Sequence, residues 1–194
     1  PRQTFGKEWP YLNTAPPTPA LFMSYSHSDE NLRDELEKHL SALRRQGVIR
    51  TWHDRRIGPG EDIHGQISAQ LDSAEIVLLL VSADFLASDY CYDIEMARAM
   101  ERHDEATARV IPVILRPCDW HGAPFGRLKA VPTDGKPVTK HATLDDGFLE
   151  VAQAVRQAAG SLGSSTPASM TATGAGSSPA PTEPRPRSSN LRVK

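Results

Sequence analysis

Cysteine is scarce in this chain. Cys91 and Cys118 are the two among 194 residues, far apart and in no metal-ligand spacing, so neither a disulfide framework nor a zinc site is expected. Long apolar runs are missing as well. The longest is IVLLLV, Ile76–Val81, well short of the roughly 20 residues that a membrane-spanning helix needs, and the N-terminal PRQTFGKEWPYLNTAPPTP lacks the apolar core of a signal peptide. The expected location is therefore a reducing cytoplasm, without membrane contact. Neither sign of charge dominates: 22 Lys and Arg against 24 Asp and Glu give a formal net charge of −2, which argues against direct nucleic-acid binding. GxGxxG and Walker A loops are absent, which excludes the common nucleotide-cofactor folds. His39, His64, His103 and His141 show no metal spacing and read as surface residues, so no metal or resident cofactor is expected. Ser82 and Ser88 lie in no nucleophile elbow, which excludes a serine hydrolase.

What the chain does have is unevenly spread. From residue 20 to 159 apolar clusters recur regularly. Residues 160–194 are mostly Gly, Ser, Thr, Ala and Pro, with almost nothing to bury. The reading is a Pro-rich arm over 1–19, one folded domain over 20–159, and a disordered linker or tail over 160–194. A linker of that length usually joins two things. The natural protein is therefore expected to continue beyond Lys194, and the opening Pro1 fits a processed protein or a fragment.

Within the domain, apolar runs alternate with amphipathic stretches. ALFMSY (20–25) reads as a buried strand. Ser28 or Asp29 is expected to cap a helix carrying Leu32, Leu36, Leu40 and Leu43, with Gly47 as its stop. VIRTWH (48–53) is a second strand. A second helix follows, with Ile63, Ile67 and Leu71 on one face and Glu61 and Asp62 at its positive end. IVLLLV is apolar at consecutive positions, as a central strand covered on both faces must be. A helix after Ser88, a strand RVIPVIL (109–115), a short edge strand KPVTK (136–140) and a closing helix DDGFLEVAQAVRQAA (145–159) complete the pattern. Such alternation implies right-handed β-α-β crossovers and a parallel sheet with helices on both faces. Ligands of such sheets sit beyond the carboxyl ends of the strands, here SYSHSD, HDRRIGPG and SADFLASDY. The second of these, WHDRRIGPG (52–60), gathers charged and aromatic groups on one loop stiffened by a Pro between two glycines.

Three of these segments, in this order, resemble one family. ALFMSYSHSDE resembles the first box of Toll/interleukin-1 receptor (TIR) domains. WHDRRIGPG followed by EDI resembles the second box and its BB loop, and IVLLLVSADFLASDYCYDIEMARA resembles the central strand and the helix that bears the family's catalytic glutamate. RVIPVILRPCDW is most like the bacterial branch. The resemblance spans residues 20–159 and implies a flavodoxin-like three-layer fold with a mostly parallel five-stranded sheet. It also implies one of two functions: an enzyme that cleaves NAD+ and releases nicotinamide, or an adaptor that binds other TIR domains.

For the enzyme, the resemblance puts the catalytic carboxylate at Glu95, in SDYCYDIE, with Asp93 as the alternative. Tyr90 stands where Trp is usual, and counted from it the glutamate arrives one position late. Nicotinamide leaves as a neutral base from a cationic pyridinium, so no general acid is needed, unlike ordinary glycosides with their two carboxyl groups. One carboxylate can hold the ribose hydroxyls and stabilise the positive charge of the transition state. The BB loop of enzymatic relatives lines the NAD+ pocket and moves when neighbours stack. Arg55 and Arg56 are thus candidates for the pyrophosphate or for a neighbour's acids, and Ile57 and Cys91 are further pocket candidates. Trp52 is placed either to stack on a base or to cover the sheet edge, and Asp54 to touch ligand or to hold the loop by an Asx-type bond. Tyr25, Ser26 and His27 border the mouth of the first strand.

The expectation is an NAD+ glycohydrolase or ADP-ribosyl cyclase that consumes NAD+ as substrate. It would be activated by assembly with other TIR domains as a homo-oligomer or filament, and joined to a sensor domain in bacterial antiphage immunity. The alternatives are a non-catalytic TIR scaffold in signal transduction and, less in keeping with the motifs, a nucleoside deoxyribosyltransferase of similar sheet topology.

Overall fold

The computed structural model describes residues 18–52 and 63–163. Asp54, Arg55, Arg56 and Ile57, and the segments read as arm and tail up to residue 17 and from residue 164, lie outside the described residues. Strands β1 (Ala20–Tyr25), β2 (Arg50–Thr51), β3 (Ile76–Val81) and β4 (Arg109–Ile114) form one parallel sheet in the order β2-β1-β3-β4. The chain leaves β1 to one side and then crosses to β3 on the other, so the order reverses between β1 and β3, as in flavodoxin-like folds.

Helices cover both faces. On one, α1 (Glu30–Arg45) and α5 (Leu144–Gly163) bury Leu36, Leu40, Leu43, Phe148, Val151 and Val155 against Leu21 and Met23 of β1. On the other, α2 (Ile63–Ser73), the single turn α3 (Ala83–Leu86) and α4 (Ala97–Asp104) supply Leu71, Phe85, Ala99 and Met100 against Phe22, joined by Met96 just before α4. All six residues of β3 are buried, as its unbroken apolar run requires of a strand covered on both faces. The second strand is shorter than read, two residues of 48–53, and the helix expected after Ser88 is preceded by α3 and begins with a turn of different pitch.

The sheet has four strands among the described residues, one fewer than expected. The segment read as an edge strand is instead a 3₁₀ turn, Val138–Lys140. Only Val131 bridges β4: the Ile114 N–H donates to its carbonyl, and its own N–H donates to Pro112, both at 2.9 Å. Propagation stops there because Pro132 has no N–H and the Thr133 N–H is taken by Glu150 of α5 at 2.9 Å. The remaining outward donor of β4, the Val110 N–H, is accepted by His103 Nδ1 at 3.2 Å, and Pro112 has none. Every outward N–H of this edge is used or absent, which blunts the edge against pairing with another chain. His103 is therefore built into the fold and is not the plain surface residue expected. So is His141, whose side chain is 8% exposed and lies 3.8 Å from Glu150.

Both α1 and α4 end in Schellman turns. After α1, Val48 N–H reaches Leu43 at 2.9 Å and Gly47 N–H reaches Arg44 at 3.1 Å, with Gly47 at φ +68°. After α4, Thr107 and Ala106 make the same pair of bonds to Arg102 and His103 at 2.9 and 3.1 Å, but the left-handed residue is Ala106, at φ +56°. The turn is held from beneath by the buried Arg102, whose guanidinium donates to the carbonyls of Leu71, Ala74 and Thr107. A side chain at positive φ costs about 1 kcal/mol or more. Ala106→Gly is therefore expected to stabilise the protein by about 1 kcal/mol in urea unfolding, and Gly47→Ala to destabilise it by a similar amount.

Candidate functional site

The segment YCYDIEM, Tyr90–Met96, is one turn of π-helix leading into α4. A π turn closes i→i+5 bonds, is rare, and concentrates at functional sites. Glu95 stands five residues after Tyr90, the separation that one i→i+5 step of such a turn spans. The side chains of residues 90–92, Cys91 among them, lie outside the described residues.

The two carboxylates of the turn point differently. Asp93 is exposed, and the Ile94 side chain stands out from the surface at 53% exposure. Glu95 is turned inward with Met96, at 6% and 3% exposure. An ionisable group held in such a place costs stability unless it is satisfied, which is why buried acids mark functional sites more often than exposed ones. The turn packs against β1 and α3.

Trp52 lies in the same layer, half-buried, its ring stacked on Phe22 with centroids 6.2 Å apart and planes 18° apart. It therefore covers β1 beside the start of the charged loop. Of the three residues at the mouth of β1, Tyr25 stands on the other face of the sheet. Tyr25 packs with the α1 and α5 layer, beneath the Arg33 guanidinium at 4.8 Å. The exposed His27 sits edge-on to Tyr25 at 6.2 Å. Ser26 Oγ accepts the Ser28 N–H at 3.4 Å and so caps the 3₁₀ turn His27–Asp29. The sheet thus separates Tyr25 from the layer that holds Trp52 and the Glu95 turn.

A second polar centre lies where the strand order reverses. Asp29 stands at the N-cap position of α1, one of the two residues expected there, but its side chain makes no capping bond and is instead 1% exposed. Its carboxylate accepts from the Ser82 hydroxyl, which follows β3, and from Arg116, which follows β4, with Nε at 2.9 Å and a terminal nitrogen at 2.8 Å. Arg116 also pairs with Asp84 of α3. These bonds, Asp84's first, hold the guanidinium above its ordinary pKa against the opposing effect of burial. Cys118, two residues on, is partly buried and its thiol is pushed up by that burial, so it is protonated and a poor nucleophile at neutral pH.

A family model described as TIR domain matches residues 21–145. The chain belongs to the TIR-domain family. This TIR domain is 62% identical over 179 residues to the uncharacterized protein y4lF of Sinorhizobium fredii (strain NBRC 101917 / NGR234), covering 90% of this chain and 55% of that protein. The chain thus spans about half the length of that curated relative. Among solved structures, the TIR domain of the Toll-related receptor TRR-2 from Hydra magnipapillata has the same fold, with TM-score 0.51 and 16% identity over 70% of this chain and 97% of that one. The TIR domains of the activated Roq1 resistosome, which directly recognizes the pathogen effector XopQ, align at TM-score 0.43 and 20% identity, over 73% of this chain and 84% of that one.

In this TIR domain, a groove of about 750 Å³ runs along the outer edge of β4, beside α5, lined by His103, Arg109, Val131, Glu150 and Gln157 among others. It is at the opposite edge of the sheet from Trp52 and shares no residue with the Glu95 turn. No group of His, Cys, Asp and Glu that could hold a metal occurs among the described residues, and no described helix is long and apolar enough to cross a membrane.

Sequence reasoning missed the role of Asp29, Ser82 and Arg116, although each is a polar residue at the end of an apolar strand. Removing the carboxylate leaves a buried hydroxyl and the inner face of a guanidinium without their acceptor. Asp29→Ala is expected to cost about 2–3 kcal/mol in urea unfolding, and Asp29→Asn, which keeps an acceptor for Ser82, less.

Proposed function

We propose that this TIR domain cleaves the bond between nicotinamide and ribose in NAD+, with Glu95 as the catalytic carboxylate. The observation that carries the reading is the inward position of Glu95 on a π turn, in a domain of a family that the sequence motifs liken to NAD+-cleaving members. The leaving group departs from a pyridinium as a neutral base, so the reaction asks for no proton donor. What it needs is a negative charge near the ribose, where positive charge builds in the transition state, and a site dry enough for that charge to act strongly. Glu95, on a turn packed against β1 and itself under little solvent, meets both needs. Water that reaches the cation gives ADP-ribose; a closed site leaves it to an internal nucleophile and gives a cyclic product.

Trp52 and the charged loop after it complete this reading. Trp52 offers an aromatic face in the Glu95 layer, and Arg55 and Arg56 carry forks suited to a pyrophosphate. Assembly with further copies regulates the site. Ile94 supports this, since a large apolar side chain left outside on the very turn that carries Glu95 gives a neighbour a direct hold on the catalytic segment. The domain would act as the effector of a longer cytoplasmic bacterial defence protein whose remaining part senses infection.

The test is nicotinamide release from NAD+ by purified protein, dilute and crowded, beside Glu95→Ala. Turnover is expected to rise with crowding and to fall at least about a hundredfold in Glu95→Ala, the scale on which a single transition-state contact acts. Activity that survives in Glu95→Ala moves the role to Asp93. Folded, crowded wild-type protein that releases nothing would make the domain a scaffold.

A further inference from the structure

At the carboxyl ends of β1, β3 and β4, where a doubly wound sheet usually admits its ligand, this domain has built a clamp. Asp29 follows β1, Ser82 follows β3 and Arg116 follows β4, and the buried carboxylate of Asp29 joins the other two. The clamp does not stop at the strand ends. Ser82 Oγ, which donates to Asp29, also accepts the Phe85 N–H at 3.1 Å and so caps α3. Arg116, which grips Asp29, also grips Asp84 in the first turn of α3. Both arms therefore end on the same short helix.

Helix α3 in turn stands against the Glu95 turn. Phe85, fully buried, shares its core cluster with Met96, the residue after Glu95. Only Ala87, Ser88 and Asp89 separate the end of α3 from the start of the π turn. A four-residue helix has almost no stability of its own, so its position is set by what holds its ends. We infer that the Asp29–Ser82–Arg116 clamp is a positioning device that fixes α3, and through α3 the π turn, so that Glu95 is presented in one geometry. Asp29 and Ser82 touch no reacting atom in this scheme. The inference rests on the proposed role of Glu95 for its effect on turnover, but its mechanical part stands without it.

The experiment uses the 194-residue chain as wild type, Ser82→Ala, Ser82→Thr and Asp84→Asn. Two quantities are read: steady-state nicotinamide release, and amide hydrogen exchange by mass spectrometry over residues 90–96 and over β3. Ser82→Ala removes the acceptor of the α3 cap and the donor to Asp29, whereas Ser82→Thr keeps the hydroxyl. With Ser82→Ala, exchange over 90–96 is expected to speed up about tenfold while β3 stays protected. The kcat should fall about tenfold to a hundredfold, with KM within about twofold of wild type. Ser82→Thr should restore both readouts. Asp84→Asn, a change at a half-exposed residue, shows the same pattern more weakly and serves if Ser82→Ala does not fold. Unchanged exchange over 90–96 in folded Ser82→Ala overturns the clamp, whatever the activity. Faster exchange there with no turnover in wild type would leave the clamp standing and refute the NAD+ reading alone.

Discussion

Asp29 carries a negative charge in the place where the ends of three parallel strands meet, almost wholly out of water. Isolated, a carboxylate there would cost several kcal/mol, so the surrounding chain has to supply partners. It does so from two distant segments, Ser82 after β3 and Arg116 after β4. This requirement fixes how the three strands end relative to one another. It also places the buried Asp29 and Ser82 side chains at the reversal of strand order, the usual ligand site of such sheets. The chemistry proposed for this domain lies instead toward β1 and β2, where Trp52 and the Glu95 turn lie in one layer.

That layer owes its character to two local departures from regular structure. One is the π turn YCYDIEM, on which Glu95 and Met96 turn inward and Asp93 and Ile94 outward. The other is α3, a single turn that could not persist alone and is pinned at Ser82 and Asp84. Irregular backbone of this kind persists where the surroundings over-determine it, which is the usual condition of a functional segment. The opposite edge of the sheet shows the contrary design. There His103, Pro112 and Val131 leave β4 without a spare donor, and the edge is closed to strand pairing.

The elements ruled by local pattern were legible in the sequence. The leucines of α1 and Gly47 at its end, the unbroken apolar run of β3 and the alternation of strands with helices are short-range signals, and the four strands follow from them. The family was legible for the same reason, through three motifs in order. Features that depend on distant partners were not. The partners of Asp29 lie 53 and 87 residues away, so SHSD read as a helix cap although its acid points inward. KPVTK had the composition of a strand, but Val131 already takes the outward bonds of Pro112 and Ile114, and KPVTK meets the end of β4 through one bond, from the Thr139 N–H to the Leu115 carbonyl at 3.1 Å. The π turn over Tyr90–Met96 was not legible either, since widening of a helix leaves no local pattern of its own. Tyr25 and His27 looked like neighbours of the candidate site because they end the right strand, yet strand alternation sends Tyr25 to the other face.

On the proposed function, ligand chemistry belongs to the Glu95 turn and β1 rather than to the crevice between β1 and β3. The direct measurement is a titration of ¹⁵N-labelled Glu95→Gln protein with NAD+, followed by amide and indole NMR shifts. Saturable shifts are expected over residues 90–96 and at the Trp52 indole, with Asp29, Ser82 and Arg116 little changed. Shifts centred on Ser82 and Arg116, with the Glu95 turn silent, would contradict this placement.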